Sequence, residues 1–229
     1  MSTLFVVATP IGNLSDISER AIATLKGVDL ILAEDTRHTR NLLHHFDIRT
    51  ALLSYHQHSK LNKVKNIIEL LKNGKDLALV SDAGTPGIAD PGNKLIAEIV
   101  ATLGSKIKII PIPGPSAITA AASVAGFPMD RFLFLGFPPA KRKRKKFFEE
   151  ALASTYPVIL YESPHRILKT LNELDEISKS QDINISIVVC RELTKLYEIT
   201  YRGAPQEVVK QLESVNIKGE FTIIVHCQE

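Results

Sequence analysis

Ser81-Asp82-Ala83-Gly84-Thr85-Pro86-Gly87-Ile88-Ala89-Asp90-Pro91-Gly92 and Pro111-Ile112-Pro113-Gly114-Pro115-Ser116-Ala117 decide how this chain folds. Each stretch follows a short apolar run, Leu77-Ala78-Leu79-Val80 and Ile107-Lys108-Ile109-Ile110, and each precedes a helix pattern. A strand that ends in a stiff, glycine-punctuated turn holds backbone polar groups at the carboxyl edge of a sheet, where open α/β sheets take their ligands. Glycine lets the backbone approach a ligand closely, and proline fixes the loop before the ligand arrives. Two such loops predict a preorganised small-molecule site.

Working outward, Leu4-Phe5-Val6-Val7-Ala8 reads as a buried strand and Val28-Asp29-Leu30-Ile31-Leu32-Ala33 as a second. Helices are expected over 15–25, with Ser15 or Asp16 as the N-cap, over 36–46, over 61–71 with Asn73-Gly74 as its stop, and over 94–103. Continuous apolar strands separated by helices predict a largely parallel sheet covered on both faces. A small-residue helix is expected over 116–125, and the chain then changes rhythm. Later strands fall at 132–135, 158–161, 185–190, 197–201 and 221–225, with helices at 166–174 and 205–212. Glu198 and Thr200 alternate with apolar neighbours, the pattern of a half-exposed antiparallel strand. The expectation is an α/β protein of two domains, 1–113 with a mainly parallel sheet and 114–229 with a mixed one.

The chain's 229 residues, 45% of them hydrophobic, suffice for sizeable cores without metal or disulfide. Its two cysteines, Cys190 and Cys227, have no paired spacing, which argues against a disulfide framework or structural zinc. The N-terminus lacks a basic signal-peptide n-region, and no apolar stretch approaches the ~20 residues of a membrane span, so a cytoplasmic protein is expected. Net charge is only +3, but Lys141-Arg142-Lys143-Arg144-Lys145-Lys146 carries six uninterrupted cations, so the remainder is net negative. Basicity gathered in one place predicts a polyanionic partner, and nucleic acid outweighs a merely solvated loop.

Neither the phosphate-loop motif nor Gly-x-Gly-x-x-Gly occurs, and Pro10 in Thr9-Pro10-Ile11-Gly12-Asn13 is foreign to a dinucleotide-binding turn. Glu34 and Asp35 close the second strand. His44-His45 and His56-Gln57-His58 lack a third ligand at metal-site spacing, so no metal is expected. Tyr161-Glu162-Ser163-Pro164-His165-Arg166 ends a strand and opens a helix. Ser163 and Pro164 suit an N-cap and N1, and Glu162, His165 and Arg166 gather at a ligand-handling edge.

Together with Ala8-Thr9-Pro10-Ile11-Gly12-Asn13-Leu14-Ser15-Asp16, Ala33-Glu34-Asp35-Thr36-Arg37, Arg191-Glu192-Leu193-Thr194-Lys195 and Gly219-Glu220-Phe221, these segments resemble the ribosomal RNA small subunit methyltransferase I family. That family belongs to the tetrapyrrole-methylase-like class III methyltransferases. The resemblance runs in order along nearly the whole chain. It implies S-adenosyl-L-methionine in a cleft between two α/β domains, a homodimer, and 2′-O-methylation of a cytidine ribose in the decoding region of 16S rRNA within the small ribosomal subunit. Many members carry a small helical domain beyond the point where this sequence ends, so RNA affinity here is expected to lean on the cationic run.

Carried over by position, the resemblance implies a cofactor pocket of Ile11, Thr85, Ile88, Ser116 and Ala117, with Asp82 and Gly84 shaping the loop and Tyr161, Leu193 and the backbone near Glu220 contributing from the second half. Asp35, Glu34, Glu162 and His165 are the candidate bases for the ribose hydroxyl. Asp35 or Glu162 is expected beside it, with Arg37 and Arg166 on flanking phosphates. A tetrapyrrole-precursor methyltransferase on the same scaffold has little use for six cations. A non-catalytic RNA-binding assembly factor would have the cations without the cofactor pocket.

Overall fold

The apolar runs and amphipathic segments build two separate sheets. The structure, a computed structural model, describes residues 1–56 and 61–227. It divides into two units, Met1–Ser116 and Ala117–Glu229.

In the first unit, β1 (Thr3–Val7), β2 (Leu30–Ala33), β3 (Leu52–Ser54), β4 (Leu77–Val80) and β5 (Lys108–Ile112) form a sheet in the order β3-β2-β4-β1-β5, parallel throughout. Side chains alternate across the pleat. Ala78 and Val80 therefore join one core with Leu25 of α1 (Glu19–Gly27) and Leu42 and Leu43 of α2 (Thr36–His45). Leu77 and Leu79 join another with Ile67 and Leu71 of α3 (Leu61–Lys72) and Leu95 and Ile99 of α4 (Asn93–Leu103). Both faces are covered, which is why the strands read as unbroken apolar runs. Because β1 lies between β4 and β5, the loops that follow these three strands emerge side by side.

In the second unit, β6 (Leu133–Gly136), β7 (Val158–Glu162), β8 (Ile185–Arg191), β9 (Ile199–Gly203) and β10 (Phe221–Cys227) run in the order β6-β7-β10-β8-β9. Among the described residues of this unit only the β6–β7 pair is parallel; β10 is antiparallel to β7 and β8, and β9 is antiparallel to β8. One face packs on α6 (Arg144–Leu152), α7 (Ile167–Ser180) and α8 (Pro205–Glu213), with Phe148, Leu171 and Leu212 in the core. The other packs on α5 (Ala117–Ser123) through Ile118 and Ala121. Among the described residues, no helix is long and apolar enough to cross a membrane.

Several expected boundaries move. Ser15 and Asp16 lie in a single 3-10 turn, Leu14–Asp16, and α1 begins only after Ser18, whose hydroxyl accepts the amide of Ala21. Ser163 does not cap α7. Its carbonyl accepts the amides of Arg166 and Ile167, closing a turn before the helix starts. Half of the cationic run is helical, in the first turn of α6, rather than loop.

Candidate active site

Asp35 and Asp82 fix the carboxyl ends of two adjacent strands. Asp82 Oδ1 accepts the amide of Asp35 at 2.9 Å. The loop after β1 is joined to the loop after β4 by a reciprocal pair, Thr9 N–H to Gly84 O at 2.9 Å and Gly84 N–H to Thr9 O at 3.0 Å. Thr85 Oγ1 donates to the carbonyl of Pro115 at 3.3 Å, tying in the loop after β5. Gly84 adopts φ +75°, and a Cβ there would stand 3.3 Å from Ile11 Cγ2. Ile11, Asp82, Gly84, Thr85 and Pro115 are thus drawn into one cradle whose hydrogen bonds are internal. Ser116 follows directly and is half-buried, while Ile88 projects from the long loop with 55% of its surface exposed.

The two acids expected beside the ribose hydroxyl both have partners within the protein. Asp35 caps α2: its Oδ1 accepts the amide of Arg37 at 2.8 Å and Arg37 Nε at 3.2 Å, and its Oδ2 accepts Arg37 Nη2 at 2.8 Å. These bonds hold its carboxyl well below the usual carboxylate range and leave it a poor proton acceptor. Glu162 is 1% exposed. Its Oε1 takes the amide of Ser163 and an ion pair from Arg166, and its Oε2 takes the hydroxyl of Thr170 at 2.7 Å. Glu34 differs. Partial burial first, and then the negative charges of Asp82 and Asp90, push its carboxyl up. An acid whose proton is held more tightly is a stronger base once ionised.

Arg166, expected on a flanking phosphate, makes three contacts within the protein. Its guanidinium reaches Glu162 at 2.9 Å, the Pro138 carbonyl at 3.0 Å and Ser163 Oγ at 3.4 Å. Arg37 stays 86% exposed at the side chain even while paired with Asp35.

In the second unit, half-buried Tyr161 is the penultimate residue of β7, with its ring against Phe134 and Phe137. Leu193 packs on the α5 side of the sheet, and Ala117 opens α5. The Glu220 amide donates to Glu192 Oε1 at 3.0 Å, and its carbonyl accepts the Glu192 amide at 2.9 Å. Lys195 Nζ ties the two carboxylates together, at 2.8 Å to Glu192 and 2.9 Å to Glu220. Glu192 adopts φ +53°, and a Cβ at Gly219 would collide with its side chain. The loop after β8 is therefore shaped around a buttress at Glu192, a role its sequence motif did not declare.

The cationic run divides. Lys141, Arg142, Lys143, Lys145 and Lys146 are exposed. Arg144 is 4% exposed and corrects the expectation of six surface cations. Its guanidinium binds Glu173 Oε2 at 2.6 Å, Thr170 Oγ1 at 2.8 Å and the Pro139 carbonyl at 2.8 Å, over the Phe148 ring. Among the described residues, no three His, Cys, Asp or Glu side chains are grouped to hold a metal ion. His58 lies outside the described residues.

Comparison with known proteins agrees with this architecture. The family described as Tetrapyrrole (Corrin/Porphyrin) Methylases matches residues 3–209. The chain is similar to the methyltransferase CobJ, at a TM-score of 0.70 and 17% identity over 99% of this chain and 95% of that one. It is equally similar to diphthine synthase, at a TM-score of 0.70 and 15% identity over 98% and 90%. At those identities the likeness is one of fold alone. The chain belongs to the tetrapyrrole methylase family and, within it, to the ribosomal RNA small subunit methyltransferase I group. It is 47% identical to the Ribosomal RNA small subunit methyltransferase I of Halalkalibacterium halodurans, over 97% of this chain and 75% of that protein. It is 41% identical to the protein of that name from Thermotoga maritima, over the whole of both chains. It is a methyltransferase by family.

Proposed function

We propose that this chain transfers a methyl group from S-adenosyl-L-methionine to the 2′-oxygen of a cytidine ribose in the decoding region of 16S rRNA. The observation that carries this reading is identity of 41–47%, along essentially the whole chain, to proteins named for small-subunit rRNA methylation. The donor set of the first unit supports the cofactor. The loops 9–13, 81–92 and 113–117 contain no lysine or arginine, and Asp82 and Asp90 within them and Glu34 beside them add negative charge. Backbone carbonyls and nearby carboxylates suit a cationic sulfonium.

When bound, that cofactor supplies a methyl group on a good leaving group. Within the first unit, Ile11, Gly84, Thr85, Ile88 and Ser116 would hold it. Asp82 fixes the loop they stand on. Orienting the ribose hydroxyl toward the bound donor would supply roughly 7–11 kcal/mol of the barrier. Glu34 accepts the proton of the ribose 2′-hydroxyl, and Arg37 steadies a flanking phosphate. Lys141, Arg142, Lys143, Lys145 and Lys146 hold the RNA backbone without reading sequence. In this reading the enzyme works as a homodimer in the cytoplasm.

The test is incubation of the purified protein with labelled donor and either small subunits, free 16S rRNA or a porphyrinoid. Mass mapping then locates the methyl group. A ribose methyl at one cytidine of the decoding region is expected. Methyl transfer to the porphyrinoid alone, or to none of the three, would overturn the reading.

A further inference from the structure

We propose that Phe137 is the platform on which an unpaired base of the RNA substrate stacks. The proposal rests on the rRNA reading above and assigns the residue that receives the base rather than the backbone. Phe137 is a large apolar side chain left 55% exposed. It is exposed by construction: Gly136 adopts φ +68°, and the β6–β7 register shifts between Phe134 and Gly136. Phe137 follows directly on this irregularity, one residue past the end of β6.

The ring is backed from one side. Tyr161 lies against it with centroids 5.4 Å apart, and Phe134 lies against Tyr161 at 5.0 Å. The backbone that follows is also held. Arg166 donates to the Pro138 carbonyl at 3.0 Å, and Arg144 donates to the Pro139 carbonyl at 2.8 Å. Two prolines and two buried or half-buried arginines thus fix the ring's position without covering it. A side chain held still in solvent has already given up the freedom that binding would otherwise take away.

Charge identifies the occupant. The exposed cations Lys141, Arg142 and Lys143 follow the ring by four to six residues, so they lie within about 20 Å of it even if the chain is fully extended. An aromatic face beside a cationic track is how proteins hold single-stranded nucleic acid, with the bases on the ring and the phosphates on the cations. Stacking needs no hydrogen-bond match, so it accepts any base and fits a site whose cations carry no sequence information.

The experiment compares Phe137→Ala, Phe137→Leu and Phe137→Trp with the parent protein. The probe is a single-stranded RNA of the decoding region carrying 2-aminopurine at successive positions. Parent protein and Phe137→Trp should quench one position on binding, and Phe137→Ala and Phe137→Leu should not. Affinity of Phe137→Ala for the RNA should fall about 5- to 150-fold, the range that removal of one base–aromatic stack produces. The salt dependence of binding should keep its slope, because no cation is taken off the phosphates. Calorimetric affinity for S-adenosylhomocysteine should not change.

Three results overturn the inference alone: full RNA affinity in Phe137→Ala, full recovery by Phe137→Leu, or loss of S-adenosylhomocysteine binding in Phe137→Ala, which would assign the ring to the cofactor. Parent protein that binds S-adenosylhomocysteine but neither the RNA nor small subunits overturns the inference and the rRNA reading together.

Discussion

Arg144 and Glu162 meet through one hydroxyl. Thr170 Oγ1 donates to Glu162 Oε2 at 2.7 Å and accepts from Arg144 Nη2 at 2.8 Å. Arg166 completes the chain on the Glu162 side and Glu173 on the Arg144 side. Charges of opposite sign alternate along the line, so two largely buried ions are each paired. Thr170→Val keeps the volume and deletes both hydrogen bonds. A loss of about 1–3 kcal/mol in urea unfolding of the second unit is expected, with the m-value unchanged. Thr170→Ser should restore most of it. Full stability in Thr170→Val would show that the hydroxyl is dispensable.

Neighbouring acids in the first unit should separate by role. Glu34→Gln should lower single-turnover methyl transfer by about 10²–10⁴-fold while leaving S-adenosylhomocysteine affinity intact. Asp35→Asn should retain most turnover, because an asparagine oxygen also caps a helix. The inverse pattern would return the base to Asp35.

The same assignment fixes a pH dependence. A base works ionised, so turnover falls as pH drops through its pKa. Burial and two negative neighbours push Glu34 up, so the acid limb should lie above the ordinary 4.5. Asp90→Asn removes one repelling charge and should move the limb to lower pH. A limb that moves upward, or stays fixed, contradicts the assignment.

Gly114 tests the cradle. A Cβ there would stand 3.0 Å from Ala8 Cβ and 3.4 Å from the Ala8 carbonyl oxygen. Gly114→Ala should cost about 1–3 kcal/mol by overpacking and weaken S-adenosylhomocysteine binding in calorimetry. Adding Ala8→Gly should recover part of both losses, a coupling expected only of residues that touch.

The cationic run divides into two kinds of residue, and salt titration separates them. Replacing Lys141, Arg142 and Lys143 by serine should flatten the plot of log affinity against log salt by up to about 2 units, near 0.7 for each phosphate no longer neutralised on single-stranded RNA. Arg144→Met should leave that slope alone and change unfolding instead. An equal slope change from Arg144 would place it on the RNA despite its burial.

The parts of this fold legible in the sequence are those whose burial is uniform. β1, β2 and β4 are covered on both faces, so their apolar runs are continuous. β3 carries no such signal because Leu52–Ser54 is short and only half-buried. α6 was obscured by charge: its cations hide Phe148, Ala151 and Leu152, which face the core at helical spacing. Nothing local distinguishes Arg144 from its neighbours, because its partner Glu173 comes from another helix. The sequence did carry a signal for Asp35, an acid directly before the helix beginning at Thr36, where an N-cap is the ordinary role. The glycine-proline loops were legible because their φ demands and stiffness are local properties. The bond from Asp82 to the Asp35 amide was not, since it joins strands far apart in the chain.

The place of β1 in its sheet also sets a timetable for synthesis. Thr3–Val7 is made first, yet both of its neighbours, Leu77–Val80 and Lys108–Ile112, are translated much later. At about 5–20 residues per second, this strand waits several seconds on the ribosome with both edges unpaired. Until then its edges stay open to non-native pairing, the hazard of any unpaired strand.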